Sequence, residues 1–182
     1  MNPKESNSGL RLVPARTYAE SRIEQAEQCA DANDFLGALK AYRDYLRVNR
    51  RKAEVWSNIG CCLMSLERLN SAKRCLMVAC RLEKHSLYFS YLGFCYMQMN
   101  DIKRAIQCYR ISVRIYEGNT DSLNMLFLLL IGAGREQEAV AAAGKLLEQM
   151  DPKSEKYSNF LADLTAYGLN PVISLVSKQA AP

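Results

Sequence analysis

Apolar residues recur through the middle of this chain at helical spacing, and one arrangement of them occurs twice. In each copy, a first segment carries an aromatic residue, an aliphatic residue, a glycine and a further large residue. A second segment then alternates small and large residues. The first copy comprises Trp56, Ile59, Gly60, Leu63, Ala72, Leu76, Ala79 and Leu82. The second, offset by 33 residues, comprises Phe89, Leu92, Gly93, Tyr96, Ala105, Tyr109, Ser112 and Ile115. At about 100° per residue each segment carries one apolar stripe, which predicts paired amphipathic helices.

This order of residues resembles the tetratricopeptide (TPR) repeat. Neither helix of such a pair can bury its stripe alone, so the resemblance implies that the pairs stack. The fold class expected is therefore all-α, a TPR superhelix (α-solenoid) of about four helical hairpins plus a C-terminal capping helix. Gly60 and Gly93 are expected to let two helices approach closely, opposite Ala72 and Ala105.

The same frame divides the rest of the chain. A flexible leader is expected at 1–15, a TPR domain at 16–168 and a tail at 169–182. Within the domain, the repeats are expected at about 19–52, 53–85, 86–119 and 120–153, and the capping helix at 154–168. In the fourth repeat a large and a small residue change places, since Phe127 replaces the glycine and Ala143 the aromatic residue. That exchange roughly conserves the volume of the core.

The helix-to-helix turns are predicted at four places of the same kind, Asn33-Asp34, Glu67-Arg68, Asn100-Asp101 and Gly134-Arg135. Asparagine and glycine tolerate the left-handed backbone conformation that ends a helix.

The resemblance implies that the first helix of each repeat lines a concave wall. On these helices a second flank, off the core stripe, is also apolar, and large exposed apolar patches mark binding sites. We therefore predict a peptide-binding groove formed by Cys61, Met64, Leu87, Tyr91, Phe94, Met97, Asn124, Leu128 and Ile131. The alternative is that superhelical curvature or the C-terminal segment covers this flank. A clamp for a C-terminal carboxylate is not expected, because Ile23, Glu27, Ser57 and Cys61 occupy the corresponding positions.

The opposite, convex wall is predicted to be basic, with a patch formed by Arg47, Arg81, Arg110 and Arg114. Residues 1–118 carry 19 basic and 12 acidic side chains, a net charge of +7, whereas residues 119–182 carry 5 and 7, a net charge of −2. A charged outer face is normal for solubility. The alternative is an acidic partner or nucleic acid, although no motif supports sequence-specific reading of RNA.

Composition offers little for catalysis. The chain has 182 residues, of which 49% are hydrophobic and 24% charged, and a single histidine, His85. It shows no paired carboxylates, no phosphate loop and no nucleophile motif, so we expect no enzyme, no catalytic or cofactor-binding residues and no cofactor. The seven cysteines form no CxxC pair, so they are interpreted as packing residues and not as metal ligands. The longest apolar run, Met125–Ile131, is too short to span a bilayer, and a cytoplasmic location is expected.

The function predicted is that of a non-enzymatic protein–protein interaction module, a TPR adaptor or chaperone that binds an apolar segment of a client in its concave groove. Its length and apolar groove also resemble type III secretion chaperones, which hold hydrophobic client proteins and often dimerise. Competing hypotheses are a eukaryotic-type assembly adaptor and a basic TPR protein that associates with nucleic acid or an acidic partner through its convex face. The partners expected are a protein client or assembly partner, with a homodimer left open, no membrane span, and nucleic acid disfavoured.

Overall fold

The computed structural model describes the backbone of residues 15–169 and the side chains of residues 18–169. Over that range the chain forms nine α-helices and no strand. The helices are α1 (Ala15–Asp31), α2 (Phe35–Val48), α3 (Ala53–Ser65), α4 (Leu69–Leu82), α5 (Ser86–Gln98), α6 (Ile102–Ile115), α7 (Thr120–Gly132), α8 (Glu136–Glu148) and α9 (Glu155–Ala166). The all-α prediction is confirmed. Residues 1–14 and 170–182, which hold nearly all of the predicted leader and of the predicted tail, lie outside the described residues. Ala15, the last residue of the predicted leader, belongs to α1.

The helices pack in consecutive pairs, α1 with α2, α3 with α4, α5 with α6 and α7 with α8. Their predicted stripes form the core: Ala72, Leu76 and Ala79 of α4 are completely buried. The buried stripes of α4 and α6 end before the last predicted residue. Leu82 and Ile115, the final residues of these helices, are 41% and 40% exposed. None of the described helices is long and apolar enough to cross a bilayer.

Four turns between paired helices share one backbone geometry. The residues with positive φ are Asn33 (59°), Glu67 (58°), Asn100 (59°) and Gly134 (66°). In each turn the next N–H donates to the carbonyl five residues back, as from Arg68 N to Leu63 O at 2.8 Å. This is the Schellman arrangement, which satisfies carbonyls at the end of a helix. The turn prediction is confirmed, and Glu67 is the one residue of the four that is neither asparagine nor glycine.

Glycines allow the closest approach between paired helices, as predicted. A Cβ atom at Gly60 would lie 2.6 Å from Cγ of Leu76, and one at Gly93 would lie 3.0 Å from Cε2 of Tyr109. The nearest contacts of these glycines are thus Leu76 and Tyr109, and the predicted partners Ala72 and Ala105 are completely buried on the same helices. Side chains on a helix lean toward its N-terminus, so a large residue covers the surface one turn earlier.

The fourth pair exchanges these sizes. Phe127 and Ala143 are 1% and 0% exposed, so both fill the core as predicted. The Phe127 ring packs edge-on against Phe160 of α9 at a centroid distance of 5.5 Å. Ser154 caps α9 by accepting a hydrogen bond from Tyr157 N at 3.2 Å. The buried Leu164 completes the contact, and α9 therefore packs on the α7–α8 pair.

The glycine contact can be tested by comparing two helical glycines. Gly60→Ala should lower the free energy of unfolding by about 1 kcal/mol, because overpacking against the fully buried Leu76 outweighs the gain in helix propensity. Gly144→Ala is the control, since nothing lies within 4 Å of its added Cβ atom. It should raise that free energy by about 0.5–1 kcal/mol. Urea denaturation measures both, and equal effects of the two substitutions would contradict the packing.

The turn geometry predicts a stabilising substitution. Glu67 holds a left-handed conformation that costs most residues roughly 1 kcal/mol. Glu67→Asn matches the equivalent Asn33 and Asn100, and should raise the melting temperature by a few degrees. Gly134→Ala should lower it by a similar amount, because it places a Cβ atom at φ 66°. A lower melting temperature for Glu67→Asn would refute the assignment of strain.

Candidate protein-interaction surfaces

Two surfaces arise because first and second helices of the pairs alternate along the chain. The first helices are α1, α3, α5 and α7, and α3 contacts α5 directly. We call the solvent side of these four helices the concave wall. The solvent side of the second helices, α2, α4, α6 and α8, is the convex face. Each surface carries one of the two predicted binding sites.

Most residues of the predicted groove reach solvent on the concave wall. Leu87, Phe94 and Leu128 are exposed at 42%, 39% and 41%. The exposed Asn124 lies on α7, and four others are half-buried, namely Cys61, Tyr91, Met97 and Ile131. The structure thus leaves an apolar surface on α5 and α7, and much less of one on α3.

Met64 does not belong to this surface. It is 8% exposed and lies in the core cluster with Leu92 and Cys95 of α5. The prediction is wrong for Met64 because α3 and α5 are in direct contact, which covers the flank between them. Ser57, on the same helix, is also buried at 1%, and its Oγ has no hydrogen-bond partner among the residues that the structure describes.

Large apolar side chains are exposed on both α5 and α7, which are successive first helices. Leu87, Tyr91 and Phe94 follow one another at spacings of four and three residues, so they lie on one face of α5. Leu128 presents a fourth large apolar side chain on the next first helix. We call these four residues the apolar row.

A buried serine network joins the helices that carry the apolar row. Ser86 and Ser90 of α5, Ser112 of α6 and Ser122 of α7 meet around the side chain of Asn119. The Oγ atoms of Ser86 and Ser112 lie 2.8 Å apart, and Asn119 Nδ2 donates to Ser86 Oγ at 2.8 Å. Such a satisfied network fixes one arrangement of three helices. Sequence reasoning missed it; the available signal was Ser112, which replaces the alanine of the preceding repeat.

The N-terminal end of the concave wall is acidic. A cavity of about 300 Å³ lies between α1, α3 and α5, and Glu27, Asp31, Asn58 and Tyr91 contribute to its lining. Burial raises the pKa of Tyr42, which also lines it, to about 12, while a hydrogen bond from Asn58 lowers that pKa in part. The phenol stays neutral, so the carboxylates supply the charge here.

The cysteines behave as packing residues. Burial raises the pKa of the Cys61 thiol to about 12 and that of Cys80 to about 11. Burial, followed by the nearby Cys80 and Asp101, raises the pKa of Cys108 to about 12. These thiols are protonated near neutral pH, and the thiolate is the reactive form.

The predicted convex patch is less basic than its sequence suggests. Arg81 and Arg114 are exposed, but Arg47 pairs with Asp44 at 3.0 Å. Arg110 is half-buried and forms an ion pair with Glu138 of α8. Arg110 therefore adds less net positive charge to the predicted patch, because α8 places a carboxylate against α6.

Clefts lie between successive second helices on the convex face, and two of them have apolar floors. The cleft between α6 and α8 has a volume of about 290 Å³. The cleft between α2 and α4 is larger, about 510 Å³. Both have an apolar floor supplied by the first helix that lies beneath them, α7 or α3 respectively.

Comparisons with known proteins agree with this architecture. The family model described as "Tetratricopeptide repeat" matches residues 53–85 and 92–119. Among solved structures, a tetratricopeptide repeat protein from Parabacteroides merdae superposes with a TM-score of 0.74, at 18% identity, covering 85% of this chain and 61% of that one. YrrB, described as a TPR protein with an unusual peptide-binding site, superposes with a TM-score of 0.66, at 19% identity, covering 92% of this chain and 98% of that one.

A curated relative comes from Bos taurus and is named BBSome complex member BBS4. It is 29% identical over 119 residues, which cover 65% of this chain and 23% of the relative. The chain therefore spans less than a quarter of that protein's length. Repeats of this kind stack into extended binding surfaces for other proteins. The family model thus identifies tetratricopeptide repeats at residues 53–85 and 92–119, and the paired helices and repeated turns show the same architecture through the rest of the described chain.

Proposed function

We propose that this chain is a non-enzymatic adaptor that binds an apolar segment of a partner protein on its concave wall. The observation that carries the proposal is the apolar row. Three of its four side chains, Leu87, Phe94 and Leu128, are about two-fifths exposed on adjacent first helices. Large apolar side chains are usually buried, and contiguous exposed patches of them mark interaction sites.

The magnitude of the gain indicates how the partner must bind. Complete burial of a leucine or phenylalanine side chain is worth about 1.5–3 kcal/mol. Since Leu87, Phe94 and Leu128 are already more than half buried, covering all three gains roughly 2–4 kcal/mol. Micromolar affinity requires about 8 kcal/mol net. The partner therefore needs further contacts, and the half-buried Tyr91, Met97 and Ile131 lie on the same two helices.

The comparisons favour an assembly adaptor over a secretion chaperone. The Bos taurus relative is named as a member of a complex, and YrrB as a protein with a peptide-binding site. Neither description concerns secretion, so the weaker resemblance to type III secretion chaperones has no support here. We propose a subunit-to-subunit contact in a larger assembly as the role of the concave wall. The homodimer and the cytoplasmic location stay predictions.

A charge placed in the apolar row tests this role. Phe94→Glu should reduce partner binding at least tenfold, because a carboxylate must then be buried against an apolar segment. The measurement is capture of partners from the source cell on the immobilised chain, followed by titration of the recovered partner against each variant. Circular dichroism should show unchanged helicity, since Phe94 lies outside the core clusters.

Tyr116→Glu is the matched control, because Tyr116 is an aromatic residue that is 62% exposed at the end of α6. It should leave the affinity within twofold. If Phe94→Glu retains the partner, or if both variants lose it equally, the concave wall is not the binding surface.

A further inference from the structure

The cleft between α2 and α4 has the form of a binding site and lies on the convex face, away from the apolar row. Its floor is apolar and consists of Ile59 and Leu63 of α3 with the half-buried Trp56, and the buried Leu46 of α2 borders it. Leu39 of α2 and Cys75 and Val78 of α4 form the walls. A volume of about 510 Å³ is enough to seat one or two large side chains of a ligand.

Three arginines surround this floor. Arg43 belongs to α2, Arg68 immediately precedes α4, and Arg74 belongs to α4. All three are exposed, and no carboxylate lines the cleft. Among the residues that the structure describes, none of the ion pairs involves them, and Arg74 donates only to Ser71 Oγ, at 3.3 Å. Asp44 lines a neighbouring cavity beside Arg43 and Arg68, but it pairs with Arg47 at 3.0 Å. Among the described residues, the three arginines therefore have no carboxylate partner of their own.

The α6–α8 cleft shows what the chain does elsewhere with the same geometry. There Arg110 pairs with Glu138, and Lys145 Nζ lies 3.7 Å from Glu117 Oε1, so carboxylates of the same chain neutralise these cations. Both clefts have an apolar floor, but only the one between α2 and α4 lacks acidic groups in its lining. The difference indicates that its carboxylates come from another molecule.

The start of α4 adds to the positive potential. Asp34 and Asp101 cap α2 and α6 with their side chains, accepting from Gly37 N at 2.9 Å and Arg104 N at 3.1 Å. At α4 the equivalent residue is Arg68, which makes no side-chain cap hydrogen bond. The N-terminus of α4, which carries the positive end of the helix dipole, therefore lacks the carboxylate cap of α2 and α6. The guanidinium of Arg68 stands there instead and adds to the positive potential at the cleft.

We propose that the α2–α4 cleft binds a short acidic segment of another protein, with one aliphatic or aromatic side chain on the apolar floor and carboxylates on Arg43, Arg68 and Arg74. Arginine suits this task because its planar guanidinium matches a carboxylate in two parallel hydrogen bonds. A nucleic acid fits less well. Its phosphates would meet the arginines, yet the apolar floor between them would have no counterpart in a phosphate backbone.

This inference goes beyond the adaptor role of the concave wall, because the cleft and the apolar row share no residue. A chain with both sites would join two partner segments of different chemistry, one apolar and one acidic with an apolar anchor. The two proposals are tested by different variants, so one can fail while the other stands.

The experiment uses a display library of random 12-residue peptides selected on the immobilised full-length chain. The cleft variant is Arg43→Glu with Arg74→Glu. The matched control is Arg81→Glu with Arg114→Glu, which makes the same change in net charge at exposed arginines outside the cleft. Circular dichroism checks that both variants keep their helices. A labelled 20-nucleotide single-stranded DNA is titrated against the same proteins by fluorescence anisotropy.

We expect the selected peptides to be rich in Asp and Glu around a Leu, Phe or Trp. Their affinity should fall at least tenfold with the cleft variant and less than twofold with the control variant or with Phe94→Glu. Selected peptides without acidic residues would overturn the proposal, as would an affinity that both double variants weaken equally. A library that yields no binder dependent on Arg43 and Arg74 would also overturn it. DNA that binds more tightly than the peptides and is lost with the cleft variant would assign the cleft to nucleic acid instead.

Discussion

The contact of a large side chain with a glycine on the facing helix determines the spacing of this fold. Leu76 lies against Gly60 between α3 and α4, and Tyr109 lies against Gly93 between α5 and α6. Since the glycine has no side chain, the helices of a pair approach until the large residue fills the space between them. Packed pairs then bring their first helices together, and α3 touches α5. The concave wall is a consequence of this spacing.

The same constraint explains how the fourth pair differs. Phe127 stands at the glycine position and Ala143 at the position of the large residue, so the bulk is carried by α7 instead of α8. The phenylalanine ring contacts the ring of Phe160 in α9 and that of Tyr167, which immediately follows α9. One exchange of sizes thus keeps the pair packed and provides the contact for α9.

Polar groups divide the surface into regions with different capacities for binding. The serine network holds α5, α6 and α7 in one arrangement and so fixes the positions of the apolar row. On the convex face, Glu138 and Glu117 neutralise the cations of the α6–α8 cleft. Of these two convex clefts, the α2–α4 cleft is the one whose described lining combines an apolar floor with arginines and no carboxylate. The net charge of the chain alone could not distinguish these two clefts.

The sequence by itself determined the helices, their pairing and their turns, because these depend on residues close together in the chain. The period of the apolar stripes, the small Gly60 and Gly93, and the asparagines at 33 and 100 act within one pair. The sequence also predicted correctly that Leu87 and Phe94 of the apolar row lie off the core stripe and reach solvent. Only the tertiary structure decided what happens between pairs. Met64 is covered by a neighbouring first helix, Arg110 is paired with Glu138 28 residues away, and the serines of three helices meet. Such outcomes depend on the distances between stacked helices, and a one-dimensional pattern of spacings does not contain those distances.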